Sequence, residues 1–223
     1  MTFKDKELII FDFDGTLINS IPDLALAVNK MLAHYDLAPL SVEQVTPLVG
    51  NGAKPLVQRS LEHSSRGKEI VQTHFDEACE LYFEAYGKEP CKDTFAYPGV
   101  VDTLDYLHKK GYKMSICTNK PYAFIAPILE ALAIKSYFNS WIGEDSIAEK
   151  KPSAGPLLHL AKAMDISLTK SIMIGDSKND ILAAQNAGMD NIGVSYGYNY
   201  NENIADYKPT LVVDQFADLQ ELF

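Results

Sequence analysis

Sulfur, positive charge and long apolar runs are all scarce in this chain. Three cysteines, Cys79, Cys91 and Cys117, occur among 223 residues. Their odd number and irregular spacing argue against a complete disulfide framework or a metal knuckle, and for reduced thiols in a cytoplasmic setting. No apolar run approaches the roughly 18 residues of a membrane span. The opening MTFKDKELII carries charge at once and lacks a small-residue cleavage site, so it reads as the approach to a strand, not as an export signal. Lys and Arg number 20 against 30 Asp and Glu, a formal charge of -10. That balance disfavours nucleic acid, which needs clustered cations. It also requires any anionic substrate to be met by a local positive field, because charge effects are screened over about 8 Å at physiological salt. The five histidines, His34, His63, His74, His108 and His159, are scattered over helical segments and form no ligand set. There is no internal repeat and no low-complexity tract.

What is present is an alternation of short apolar runs and amphipathic stretches. ELIIFDF, Glu7 to Phe13, has strand length and composition. YKMSICT, SWIG, SIMIG, NIGVSY and PTLVVD are five further strands. VVDTLDYLHKKG, PYAFIAPILEALAI, AGPLLHLAKAMDI, DILAAQNAG and QFADLQELF are helices, the first closed by Gly111 and the second carrying Pro127 at a kink or first turn. Strands that are continuously apolar, separated by helices, predict an α/β fold: a Rossmann-like parallel sheet covered by helices on both faces. Pro22 to about Lys88 breaks this rhythm. PDLALAVNKMLAHYDL has helical spacing with Pro22 in its first turn, SVEQ at 41–44 fits a capping box, and two more amphipathic segments follow. The expected organisation is a catalytic core from 1–18 and 96–223, with a small all-helical cap at 19–95 inserted after strand one.

The chemistry concentrates at strand ends. In open α/β sheets ligands sit beyond the carboxyl ends of the strands. LIIFDFDGT ends in Asp12 and Asp14, SIMIG ends in Asp176, and Asp180 lies one helical turn further on. Acids do not gather at the ends of core strands without a counter-ion. Magnesium meets the need: it takes oxygen ligands, one or two carboxylates, retained waters and substrate phosphate. Asp12 and Asp176 suit direct ligation, Asp180 an outer position holding metal-bound water. CTNK ends another strand, so Thr118 and Asn119 offer a hydroxyl and N–H groups to a phosphoryl oxygen. Lys151 in EKKPS can neutralise charge on Asp12 and on a phosphate.

On these residues the chain resembles the haloacid dehalogenase superfamily of phosphohydrolases over its whole length. DFDGT (12–16), Thr118, Lys151 and GDSKND (175–180) match that superfamily's four motifs in order. Within it the likeness is greatest to phosphoglycolate phosphatases, through VGNGAKPLVQRSL, YPGVVDTL, CTNKP, GDSKNDILAAQNAG and YGYNY. The resemblance implies a magnesium-dependent monoester hydrolase. Asp12 would be the nucleophile and Asp14 the proton carrier, its main-chain carbonyl also a metal ligand, with Gly15 and Thr16 beside the phosphoryl group. One departure stands out: phosphoglycolate phosphatases often read Lys-Pro-His-Pro after the motif lysine, where this chain has Ser153 and Ala154.

The substrate side is less defined. A small cap suits compact metabolites. The GNGAK loop with Gly52 and Lys54, together with Arg59, is expected to meet the leaving group, a basic side chain pairing with the glycolate carboxylate. A sugar phosphomutase shares all four motifs, but those resembling this chain carry a cap-loop arginine where Ala53 and Lys54 stand. Haloacid dehalogenation needs neither Asp14 nor magnesium. A non-enzymatic receiver-like module phosphorylated on Asp12 would lack the helical insert. The expected partner is a small phosphate ester, with no nucleic acid and no membrane, and the chain is expected to be a monomer or homodimer. Trp141 is expected in the core. The tyrosines of YGYNY fit equally a wall of the site or a contact between copies.

Overall fold

The computed structural model describes residues 2–64 and 66–223. Its strands are β1 (Leu8–Phe11), β2 (Ile18–Asn19), β3 (Phe95–Ala96), β4 (Lys113–Cys117), β5 (Ser140–Ile142), β6 (Ser171–Gly175), β7 (Asp190–Val194) and β8 (Leu211–Val213). Its helices are α1 (Ile21–His34), α2 (Val42–Val45), α3 (Ala53–Glu62), α4 (Gly67–Thr73), α5 (Phe75–Lys88), α6 (Val100–Lys109), α7 (Ile125–Ala131), α8 (Gly155–Ala163), α9 (Lys178–Ala187) and α10 (Leu219–Leu222). Six strands form one sheet in the order β5-β4-β1-β6-β7-β8, and every pairing in it is parallel.

The alternation of side chains along each strand explains why the strands read as unbroken apolar runs. Ile9 and Phe11 of β1, with Ile116, Ile172, Ile174 and Ile192, turn to the face covered by α6, α7 and α10 through Leu104, Ile128 and Leu219. Leu8 and Ile10, with Met173, turn to the opposite face against Leu157 and Leu160 of α8 and Ala183 and Ala184 of α9. All four β1 side chains are fully buried, each worth about 1.5–3 kcal/mol relative to exposure. The expected α/β sheet with helices on both faces is observed. Strand one is shorter than ELIIFDF: regular pairing stops at Phe11, so both acids stand just past the strand. The final QFADLQELF is a single 3₁₀ turn at Phe216–Asp218 followed by the one-turn α10. Pro127 lies in the first turn of α7, after a separate 3₁₀ turn at Tyr122–Phe124.

Helices α1 to α5 lie between β2 and β3, which pair antiparallel as Ile18 with Ala96 and Asn19 with Phe95. They bury a separate apolar cluster in which Val28, Met31, Val57, Leu61, Tyr82 and Tyr86 are covered. The SVEQ box forms as expected: Gln44 N–H donates to Ser41 Oγ, and Ser41 N–H to Gln44 Oε1 at 2.8 Å. Asp23, buried in the first turn of α1, ties down the chain leaving the insert. Its carboxylate accepts the N–H groups of Lys92, Asp93 and Thr94 at 2.9–3.1 Å and the Thr94 hydroxyl at 2.6 Å. Trp141 is only partly buried against the core, because β5 is an edge strand.

Candidate active site

Asp12 follows β1 and keeps its register, its N–H donating to Ile174 O at 2.9 Å. The chain then turns sharply: Leu17 and Ile18 N–H groups return to Phe13 O, and Gly15 N–H donates to Ile18 O. Gly15 holds φ +91°, and a Cβ there would lie 2.4 Å from Asp176 Oδ2. Only glycine satisfies both demands. Thr16, fully buried, donates its hydroxyl to Asp176 Oδ1 at 2.9 Å, and Tyr198 N–H donates to Asp176 Oδ2 at 2.7 Å. Asp180, in the first turn of α9, accepts from the Ser177 N–H at 3.0 Å and hydroxyl at 2.8 Å.

Lys151 is buried between two of these acids, its Nζ 2.8 Å from Asp12 Oδ1 and 2.6 Å from Asp180 Oδ1. Asp12 Oδ1 is buried, and among the described residues the Lys151 ammonium is its one polar side-chain contact. Carboxylate oxygens of Asp12, Asp176 and Asp180 lie within 4.8 Å of one another. Three buried acids face one ammonium. Burial, and then the charge of Asp180, pushes the Asp12 carboxyl well up despite Lys151. The same two causes push Asp176 up to about 7. Burial opposes the charge on Lys151, but Asp12 and Asp180 outweigh it and hold the ammonium protonated. Three clustered buried acids with one ammonium between them leave excess negative charge in an all-oxygen donor set, which fits a hard divalent cation.

Asp14 sits beside this group. It accepts from Ser20 Oγ at 2.5 Å and from Lys120 Nζ at 3.0 and 3.2 Å. Thr118, at the end of β4, donates its N–H to Ile142 O, and its hydroxyl accepts from Lys120 N–H at 3.1 Å. Asn119 donates its side-chain amide to Lys151 O at 3.0 Å. A cavity opens here between sheet edge and insert, lined by Asp12, Asp14, Thr118, Asn119, Lys120, Lys151 and Asp176 below, and by Leu24, Gly52, Leu56, Tyr82 and Tyr86 above.

The structure therefore gathers Asp12, Asp14, Thr118, Asn119, Lys151, Asp176 and Gly52 around one cavity. Thr16 and Asp180 support it from behind. Lys54 and Arg59 stand outside this lining. Lys54 is exposed on the first turn of α3, and neither residue lines the cavity. Arg59 Nη1 donates to Leu48 O at 2.8 Å and Gly50 O at 3.1 Å, because the loop before α3 leaves those carbonyls without backbone partners. Lys120 and Ser20 were missed from sequence. Lys120 lies beyond the end of β4, where the chain bends, so strand alternation gave no signal for it. The YGYNY tyrosines edge the site. Tyr196 donates to Thr16 O, Tyr198 bonds Asn19 and Ser20, and Tyr200 lines the cavity. Ser153 turns away, its hydroxyl bonded to Glu149 and accepting from Gly155 N–H.

A parallel sheet that collects buried acids and the ammonium groups of Lys120 and Lys151 at its carboxyl edge, beneath inserted helices, has the make-up of an α/β enzyme. The profile of the haloacid dehalogenase-like hydrolases matches residues 9–194, and the chain belongs to that family. It groups with the phosphomonoester hydrolases among them. It is 44% identical over 218 residues to the phosphoglycolate phosphatase of Psychrobacter arcticus, covering 96% of this chain and 94% of that one. The phosphoglycolate phosphatase of Colwellia psychrerythraea is 41% identical over 220 residues, covering 98% and 97%. The crystal structure of a predicted phosphoglycolate phosphatase from Haemophilus somnus superposes with a TM-score of 0.92 at 37% identity, covering 97% of each chain. Membership of a hydrolase family sets aside the receiver-like module.

Proposed function

We propose that this protein is a magnesium-dependent phosphomonoester hydrolase that works through a phosphorylated aspartate on small metabolites, 2-phosphoglycolate foremost. The observation that carries this reading is Asp12: a strand-end carboxylate that faces a cavity and pairs with a buried ammonium. The carboxylates of Asp12 and Asp176 and the main-chain carbonyl of Asp14 would hold the cation, with Asp180 behind them. Bound there, magnesium would neutralise phosphate charge and permit an anionic nucleophile to approach an anionic ester.

The chain's own residues account for the remaining steps. An Asp12 oxygen bonds phosphorus while the bond from phosphorus to the ester oxygen breaks, and Asp14 gives that oxygen its proton. Asp14 then takes a proton from water as the water oxygen attacks phosphorus, releasing phosphate and restoring Asp12. Thr118 and Asn119 offer donors to the phosphoryl oxygens, and Lys151 offsets their charge. The helical insert closes the cavity and excludes bulk water. Cys79, Cys91 and Cys117 are free thiols, which fits a cytoplasmic setting. Among the described residues no helix is long and apolar enough to cross a membrane. The likeness to proteins named phosphoglycolate phosphatase supports that ester over others. A panel of phosphate esters assayed with and without magnesium, with D12N as control, tests the reading. Wild-type turnover by D12N, or turnover indifferent to chelator, overturns it.

A further inference from the structure

With Lys54 and Arg59 directed elsewhere, the cavity still needs a group to recognise the leaving group's charge. Two cations line it among the described residues, Lys151 and Lys120. Lys151 is occupied by Asp12 and Asp180. Lys120 is 6% exposed and straddles both oxygens of Asp14 at 3.0 and 3.2 Å. Its ammonium also stands 4.7 Å from the centre of the Tyr86 ring, which supports a cation independently of Asp14. The Tyr86 hydroxyl, in the same wall, is buried and has no hydrogen-bond partner. Around them stand the largely apolar Leu24, Leu56, Tyr82 and Phe124, while Asn51 and Tyr200 are uncharged. An anion entering there needs a cation and a donor, and these two side chains supply both.

We propose that Lys120 receives a carboxylate on the leaving group, so that the site selects phosphate esters of short 2-hydroxy acids over esters of neutral alcohols. The inference rests on the phosphatase reading above and extends it to substrate choice. In such an ester one carbon separates the ester oxygen from the carboxylate. The ester oxygen must approach Asp14 to take its proton. The cation that already touches Asp14 is therefore the one beside the substrate's carboxylate. Lys120 is anchored for this: its own N–H bonds Thr118 Oγ1, and Pro121 follows it.

The test compares a matched pair of substrates, 2-phosphoglycolate and 2-hydroxyethyl phosphate, which differ only in the carboxylate. Any loss transmitted through Asp14 falls on both alike. In K120M the ratio of their kcat/KM values should fall at least about 30-fold, and in K120R it should stay within about 10-fold of wild type. An unchanged ratio in K120M overturns the inference. So does a wild-type enzyme that shows no preference within the pair. A second measurement needs no turnover and no variant: binding of 3-phosphonopropionate and 3-hydroxypropylphosphonate to wild type in magnesium. Tighter binding of the carboxylate should be seen, and equal binding overturns the inference. A wild type that binds the carboxylate selectively but hydrolyses neither ester would overturn the phosphatase reading alone. Should K120M fail to fold, the phosphonate pair decides.

Discussion

Replacing Asp176 with asparagine should stabilise the metal-free protein while destroying its response to magnesium. The carboxyl is pushed from its ordinary 3.8 up to about 7, by burial first and the Asp180 charge second. The folded chain thus binds this proton more tightly than the unfolded chain does. The associated stability is complete below pH 4 and is lost as pH rises through about 7. At about 1.4 kcal/mol per pH unit, ionising Asp176 in the folded state costs about 4 kcal/mol. For a chain of this size that is roughly 8–16 °C in Tm. Asparagine can keep its oxygen on Tyr198 N–H and turn its amide to Thr16 Oγ1, so its own hydrogen-bonding offset is independent of pH. The assay is a melting series from pH 4 to pH 8 in chelator for wild type and D176N. Their difference should grow in favour of D176N across that interval and level off above about pH 7. Saturating magnesium should raise wild type and leave D176N unmoved. A difference that stays flat with pH, or D176N gaining as much from magnesium as wild type, would refute the reasoning.

Other outcomes follow from the same geometry. D12N should lose phosphate release by a factor of at least about 10³ while still binding the phosphonate probes, which calorimetry checks. G15A places a Cβ against Asp176 at a φ of +91° and should weaken magnesium affinity, measured by titration of the metal-free protein. D23A removes one buried acceptor from three N–H groups and a hydroxyl, and should lower unfolding free energy by about 3 kcal/mol in urea. K54A, exposed and outside the cavity, should change kcat/KM for phosphoglycolate by less than about threefold.

The parts of the site that sequence reveals are those whose chemistry conflicts with their surroundings. Asp12 and Asp176 end runs that are otherwise apolar, and such positions demand an explanation whatever the fold. Asp180 follows from helical spacing alone. Side-chain commitments made across the fold are not legible in this way. Nothing local tells Arg59 to turn back onto Leu48 O and Gly50 O, since the choice depends on how the preceding loop leaves its carbonyls. Lys120 reads as one more charge until the packing of α5 brings Tyr86 beneath it. The antiparallel pair β2 and β3 is two residues long on each side, too short for any periodicity. The C-terminal segment had helical composition, but a 3₁₀ turn and one α-turn are what fit against the edge of α6.

The position of the insert has its own consequence. It begins only a few residues after Asp14, so its first residues are also neighbours of that carboxylate. Ser20 donates to Asp14 through its hydroxyl, while its N–H donates to the Tyr198 hydroxyl at 3.0 Å. Tyr198 in turn donates its own N–H to Asp176. One tyrosine thus connects Asp176, through its backbone, with Ser20 and so with Asp14, through its ring. The two functions separate in Y198F, which keeps the N–H and removes the hydroxyl. Ser20 N–H would be left buried without an acceptor, at about 1–3 kcal/mol. Relief of that penalty requires Ser20 to shift, and Asp14 loses its fixed partner when it does. Y198F should therefore lower kcat by roughly 10-fold or more with magnesium affinity unchanged. Equal losses in both would mean that the ring merely packs the loop, and that no contact through Ser20 positions the acid.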